Sequence, residues 1–300
     1  MSKKAADTLI LFDDNNRSYY TGKETSFGCV ILHEKENFLI TDFRYAGYVR
    51  DCEGFTVRII DAPALYDVVR SCLEKLQVKM VGFEDDRLSY AEYTRLKTEL
   101  KNYKLVPAGE TIAEQRAVKT DTEIDLIAKS QVFNQNVLKK VVSQIRVGMT
   151  ESEVAADIMY EYIRNGAKPS FDPIVAFGSN AAVPHHKPSA KRLEKNDVIL
   201  IDMGAIVDGY CSDMTRTFCL GEPDEELQRA HAIVLEAQQY ALMHIKAGMT
   251  GREADSLARE YITANGYGDK FGHSLGHGVG VEIHEAPRLS RYADDVLKEN

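Results

Sequence analysis

Two aspartates, Asp202 and Asp213, carry the first chemical signal in the sequence. Asp202 ends the apolar run Val198-Ile199-Leu200-Ile201. Asp213 lies inside a second strand-like run rich in Thr, beyond a turn bounded by Gly204 and Gly209. A hairpin would place both acids on paired strands, where unpaired buried charges are costly. One or two metal ions held by carboxylate oxygens would neutralise them. The alternative is an Asp in a turn plus an Asp paired with Arg216, and these residues alone leave both readings open. A second signal is the stretch 271–287, where His273, His277 and His284 stand among Gly276, Gly278 and Gly280. Alternating glycines let another backbone or a ligand approach closely. A lone His is usually a satisfied core residue, but three beside such glycines point to a ligand-and-substrate site. The glycines argue against a zincin helix, and the sequence has no HExxH. The third signal is the polar loop 177–188, which delivers His185 or His186 just before the Asp202 strand. Alone it reads as a surface loop with histidines.

The elements that must position these residues fall into two parts. Residues 7 to 110 read as an alternating α/β unit, with strands at 8–12, 55–60, 80–83 and 104–106 and a hairpin joining 28–32 to 38–41. Residues 13–16 read as a turn. Leu65, Val68, Val69, Cys72 and Leu76 have helical spacing, and Ser89 with Glu92 caps a further helix running to Leu100. This part shows no catalytic constellation, and Asp42 with Arg44 reads as a structural pair. Residues 108–120 form the boundary. A long amphipathic helix then starts near Thr120, with Ile124, Ile127, Leu138, Val141 and Ile145 on or near one face.

The second part repeats itself. The stretch 145–150 returns as 245–250, each copy between two helices, with Thr150 and Thr250 as N-caps. Glu153 and Glu253 complete capping boxes, and the helices end at Asn165-Gly166 and Asn265-Gly266, as left-handed C-caps would. Phe171 and Gly178 correspond to Phe271 and Gly278. These features in register indicate an internal duplication of helix, helix and strands. Residues 193–196 lead into the Asp202 strand, and 297–300 are their counterpart. The strand expected after that second lead-in would lie past Asn300, so the sequence is expected to be truncated at its C-terminus.

Composition narrows the class. The 300 residues are 44% hydrophobic and 28% charged, with a formal net charge of -9, which suits a soluble globular protein rather than a nucleic-acid or anionic-membrane binder. No apolar run approaches the roughly 20 residues of a membrane span, and the first residues lack a signal-peptide core. Five scattered cysteines without a CxxC suit reduced thiols in the cytoplasm. Cys211 and Cys219, which flank Asp213, read as packed side chains rather than zinc ligands.

Taken together, Gly178-Ser179-Asn180-Ala181-Ala182-x-Pro184-His185-His186, then Asp202-x-Gly204 with Gly209-Tyr210-x-Ser212-Asp213-x-Thr215-Arg216-Thr217, then His273-Ser274-x-Gly276-His277-Gly278-x-Gly280 with His284-Glu285-x-Pro287, resemble the pita-bread metallopeptidases. The resemblance is closest to the Xaa-Pro aminopeptidase and Xaa-Pro dipeptidase (prolidase) branch. The P-H-H loop and the N-terminal unit favour that branch over methionine aminopeptidase. The resemblance implies an α/β (α+β) chain: a creatinase-type N-terminal domain at 1–112 and a pita-bread catalytic domain at 113–300 that lacks its last strands. On matching residues it implies Asp202, Asp213 and His277 as metal ligands, with Asp202 bidentate and Asp213 bridging. It places His185, His273 and His284 in the substrate pocket. It implies two divalent ions, foremost Mn²⁺ with Co²⁺, Zn²⁺ or Fe²⁺ as alternatives, activating a hydroxide against the bond between an N-terminal residue and proline. Short peptides with proline second would be the substrates, and a homodimer the assembly. The family completes its site with two glutamates further on, which Glu282, Glu285 and Glu299 do not match. Without them the chain would be inactive, or would act as a non-catalytic binding module.

Overall fold

The apolar runs of the first hundred residues pair as six strands in the order β4-β3-β2-β1-β5-β6. The computed structural model describes residues 6–300, and the chain divides into two compact units between Gln115 and Arg116. The first unit contains β1 (Thr8–Leu11), α1 (Asp14–Thr21), β2 (Cys29–His33), β3 (Asn37–Asp42), β4 (Phe55–Ile60), α2 (Leu65–Leu76), β5 (Met80–Phe83), α3 (Tyr90–Glu99) and β6 (Lys104–Pro107). The 28–41 hairpin forms as β2 and β3, and the remaining strands form where the residue pattern placed them. Residues 13–16 are not a turn. Asp13 accepts hydrogen bonds from the amides of Asn15 and Asn16 and so starts α1, because an Asp that favours turns also favours N-caps. Ser89 and Glu92 form the expected capping box of α3. Arg44 and Asp42 pair side chain to side chain. α2 and α3 bury Val69, Leu73 and Leu96 against Ile31, Phe38 and Ile40 of the sheet.

The second unit begins within α4 (Gly109–Ala117) and continues with α5 (Asp121–Val142), α6 (Glu151–Arg164), β7 (Lys168–Pro169), β8 (Ile174–Phe177), β9 (Val198–Met203), β10 (Ala205–Val207), β11 (Tyr210–Cys211) and β12 (Met214–Cys219). Then follow α7 (Glu225–His244), α8 (Gly251–Ala264), β13 (Gly276–Gly278) and β14 (Glu285–Leu289). Its strands make three small sheets, β11-β10-β7, β12-β9-β8 and β13-β14. The core sets Val154, Ile158 and Tyr162 of α6 against Val175, Phe177, Ile199, Ile201 and Met203. The buried face of α5 differs from the apolar periodicity. Ser130, Asn134, Val137 and Val141 are buried, whereas Ile124 is 39% exposed. Two polar residues face inward because strand carbonyls there need donors.

The duplication is visible atom by atom. Thr150 with Glu153 and Thr250 with Glu253 form capping boxes. The amides of Gly148 and Gly248 donate to Leu193 O and Leu297 O, and Leu193 and Leu297 return bonds to Met149 O and Met249 O. Glu151 and Gly251 donate in turn to Lys191 O and Asp295 O. The pairing of the two lead-ins thus holds in three dimensions. The Asn-Gly caps form as expected, with Gly166 and Gly266 as the left-handed residues, since glycine takes positive φ without steric cost.

Candidate metal centre

Asp202 is placed by strand alternation. Ile199, Ile201 and Met203 of β9 are fully buried, so Asp202 projects from the opposite face. β9 pairs antiparallel with β12, with Asp202 opposite Thr215 and Met203 opposite Met214. Between these strands the chain turns a corner at Gly204. A Cβ at Gly204 would lie 2.1 Å from Ser170 Oγ and 2.2 Å from Ser212 O, so only glycine fits. β10 and β11 then join β7 in a different sheet. Neutral groups hold the corner. Asn134 Nδ2 donates to Met203 O at 2.9 Å, Ser130 Oγ to Ala205 O at 3.0 Å, and Ser170 Oγ to Ser212 O at 3.0 Å. Tyr162 donates to Asn134 Oδ1 and so fixes that amide. Asp213 is not inside a strand as its sequence context suggested. It occupies the step between β11 and β12, because the chain must cross back between two sheets there.

The two acids repel one another. Burial raises the Asp202 carboxyl above its ordinary range and the charge of Asp213 raises it further, while Thr215, His185 and His277 pull it back. Its Oδ1 is buried without a hydrogen-bond partner. Partial burial also raises Asp213, with His277 opposing. His277 Nε2 stands 3.5 Å from Asp213 Oδ2. The other ring nitrogen, Nδ1, lies 3.0 Å from Gly278 O, which can only accept, so Nδ1 carries a proton and Nε2 is the nitrogen turned toward the acid. An imidazole nitrogen therefore faces a carboxylate oxygen, two atoms that a shared cation could bind together. This donor set fits a divalent metal. It is an incomplete shell: among the described residues, no three His, Cys, Asp or Glu side chains converge into a group able to hold an ion. Arg216 donates to its neighbour Thr215 O, and the ion-pair partner of Asp213 is His277 rather than Arg216.

β13 and β14 bring two histidines together. Gly278 packs so tightly on β14 that a Cβ would meet Ala286 O at 2.2 Å. The rings of His277 and His284 lie edge to face with centroids 4.4 Å apart. Partial burial, then the fields of His277, Arg288 and His185, lower the His284 pKa. His185 is exposed on its loop, within electrostatic reach of Asp202 and His284. His186 is not at the site, because its Nε2 bonds Glu151 Oε2 at 2.8 Å. The ring of His273 lies edge-on to Phe271, and it borders a cavity of about 210 Å³ lined by Arg259, Ser274, Ser290, Arg291 and Tyr292. The buried thiol of Cys211 is pushed up to about 12 and points to Val281 O, so it is packed rather than a ligand. Glu282 and Glu285 are engaged by Arg116, and Lys119 Nζ also lies 3.3 Å from Glu285.

Sequence reasoning missed Ser130, Asn134 and Glu151. Glu151 is hidden one residue inside the Thr150 capping box, where an acid reads as ordinary helix-terminus chemistry. Asn134 bonds a carbonyl 69 positions away, which no local pattern signals.

Residues 125–300 match metallopeptidase family M24, and residues 1–118 match the creatinase/prolidase N-terminal domain. The Xaa-Pro dipeptidase of Pyrococcus furiosus is 36% identical over 304 residues, covering 100% of this chain and 85% of that protein. The crystal structure of X-Pro aminopeptidase from Thermotoga maritima superposes with a TM-score of 0.91 at 38% identity, over 98% of this chain and 86% of that one. The prolidase of Pyrococcus horikoshii superposes with a TM-score of 0.89 at 34% identity, over 98% and 83%. With its acids and histidines placed as described and both parts of the sequence matched, the chain belongs to metallopeptidase family M24, the pita-bread peptidases, and carries a creatinase/prolidase N-terminal domain.

Proposed function

We propose that this protein hydrolyses the peptide bond between an N-terminal residue and proline, using divalent metal held by Asp202, Asp213 and His277. The observation that carries the reading is the buried, unpartnered Oδ1 of Asp202 beside the like charge of Asp213. Relatives matched over the whole chain are Xaa-Pro dipeptidases, which supports the same substrate class here. When bound, the metal supplies an activated water and a positive charge beside the scissile carbonyl. The chain's own residues do the rest. Gly278 O fixes the His277 tautomer and so keeps Nε2 free to ligate. In this reading His185 and His284 donate to the oxyanion that develops on the carbonyl before proline. Loss of one such donor costs about 3–4 kcal/mol of transition-state stabilisation. His273 with its neighbouring cavity contributes to the substrate pocket.

The carboxylate-rich donor set favours Mn²⁺, with Co²⁺, Zn²⁺ and Fe²⁺ as alternatives. Five free thiols support a reducing, cytoplasmic setting. Among the described residues no helix is long and apolar enough to cross a membrane. A homodimer rests on the family resemblance alone.

The test follows release of proline or of the N-terminal residue from an Xaa-Pro dipeptide and an Xaa-Pro-Xaa tripeptide. The protein is first stripped with a chelator and then resupplied with Mn²⁺. Cleavage of the dipeptide alone assigns a dipeptidase, and cleavage of the tripeptide assigns an aminopeptidase. Failure of the full-length protein to cleave either substrate with metal present refutes the reading.

A further inference from the structure

We propose that Glu151 is a positioning residue for His185: acting through His186, Asn180 and Ser189, it pins the loop that presents His185 to Asp202. The inference rests on the reading of His185 given above.

The Glu151 side chain is fully buried and uses both oxygens. Oε1 accepts from Phe177 N at 2.8 Å and Asn180 Nδ2 at 2.9 Å. Oε2 accepts from His186 Nε2 at 2.8 Å, Ser189 N at 3.0 Å and Ser189 Oγ at 2.6 Å. These donors sit at both ends of the 177–189 segment and in its middle, and one of them is the residue next to His185. The helix needs no such group for its own end, because Thr150 and Glu153 already cap it.

The second repeat shows that the clamp is separate from the shared scaffold. Its matching position is Gly251, where a Cβ would meet Arg288 O at 2.1 Å, so no carboxylate fits. Asp255, one turn further along α8, takes over. It is buried, accepts from Leu275 N at 2.9 Å and pairs with Arg259. Arg259 in turn donates to Phe271 O and His273 O, each at 2.8 Å. Each half therefore fastens its histidine-bearing loop to its second helix through one buried carboxylate, using different positions.

Glu151→Gln keeps the volume but offers an amide N–H₂ where donors converge. Amide hydrogen exchange in 178–189 is expected to quicken by about tenfold while α6 and β9 stay protected. Metal affinity, read by calorimetry with Mn²⁺, stays within about threefold because the three ligands lie on other elements. The kcat on an Xaa-Pro dipeptide falls by about tenfold or more. In a His185→Ala background the same change costs less than about twofold further. Unchanged exchange, or a full additive loss on top of His185→Ala, overturns the proposal. If His185→Ala is itself silent, the role given to His185 fails, and the proposal with it. Should Glu151→Gln not fold, Asn180→Ala removes one donor from the loop, and about a threefold loss of kcat with the same non-additivity is expected.

Discussion

Removing the charge of Asp202 should strengthen the metal-free protein and abolish its response to metal. In Asp202→Asn the like-charge repulsion with Asp213 disappears, and the buried oxygen without a partner can be replaced by an amide N–H₂ turned toward that acid. A buried polar group left unsatisfied costs about 1–3 kcal/mol. For a unit of this size, 1 kcal/mol moves Tm by about 2–4 °C. The metal-free variant is therefore expected to melt about 2–12 °C above the parent. Metal reverses the order. A cation at a hundred times its Kd adds about 2.7 kcal/mol to the parent and, with a ligand gone, little to the variant. Differential scanning calorimetry in chelator and then in Mn²⁺ reads both effects. A metal-free variant that melts below the parent would refute the account of the orphaned oxygen. A variant that keeps the full Mn²⁺-induced rise would refute Asp202 as a ligand.

Three further outcomes are expected. Burial alone would raise Glu151, but its hydrogen bonds from Ser189, His186, Phe177 and Asn180 prevail and hold it at about 2, against an ordinary 4.5. That depression corresponds to about 3 kcal/mol of stability, fully present above pH 4.5 and lost as pH falls toward 2, so urea midpoints of Glu151→Gln should decline less over that window. Asn134→Ala removes the donor to Met203 O and leaves the buried Tyr162 hydroxyl without its acceptor, for about 2–3 kcal/mol in urea unfolding, whereas an exposed control such as Ser143→Ala should change little. Gly204→Ala forces Ser170 and the Ser212 carbonyl aside, and calorimetric Mn²⁺ affinity should fall by about tenfold or more as the spacing of the acids is disturbed.

Local chemistry was legible in the sequence and distant chemistry was not. The capping boxes at Ser89, Thr150 and Thr250 form as written because donor and acceptor lie three residues apart. The correspondence of Leu193 with Leu297 was readable because one hydrogen-bond pattern recurs within each repeat. Asp202, Asp213, His277 and His284 could be singled out because acids in apolar runs and histidines between glycines conflict with ordinary packing. The inward turn of Ser130 and Asn134 was not readable, since their partners are carbonyls some seventy positions away. Helix α1 was missed because Asp-Asp-Asn-Asn serves turns and N-caps equally well. The choice between His185 and His186 depended on Glu151, whose purpose shows only when the loop is folded over it.

The corner at Gly204 has one more consequence. The side chains that hold it are Ser130, Asn134, Ser170, Ser212 and Tyr162, and burial drives the Tyr162 hydroxyl well above its ordinary pKa. None of them changes protonation where aspartates, glutamates and histidines do. Whatever charge the site carries, the frame that spaces its carboxylates and imidazoles keeps the same hydrogen bonds. The charged parts of the molecule are mounted on a jig that carries no charge.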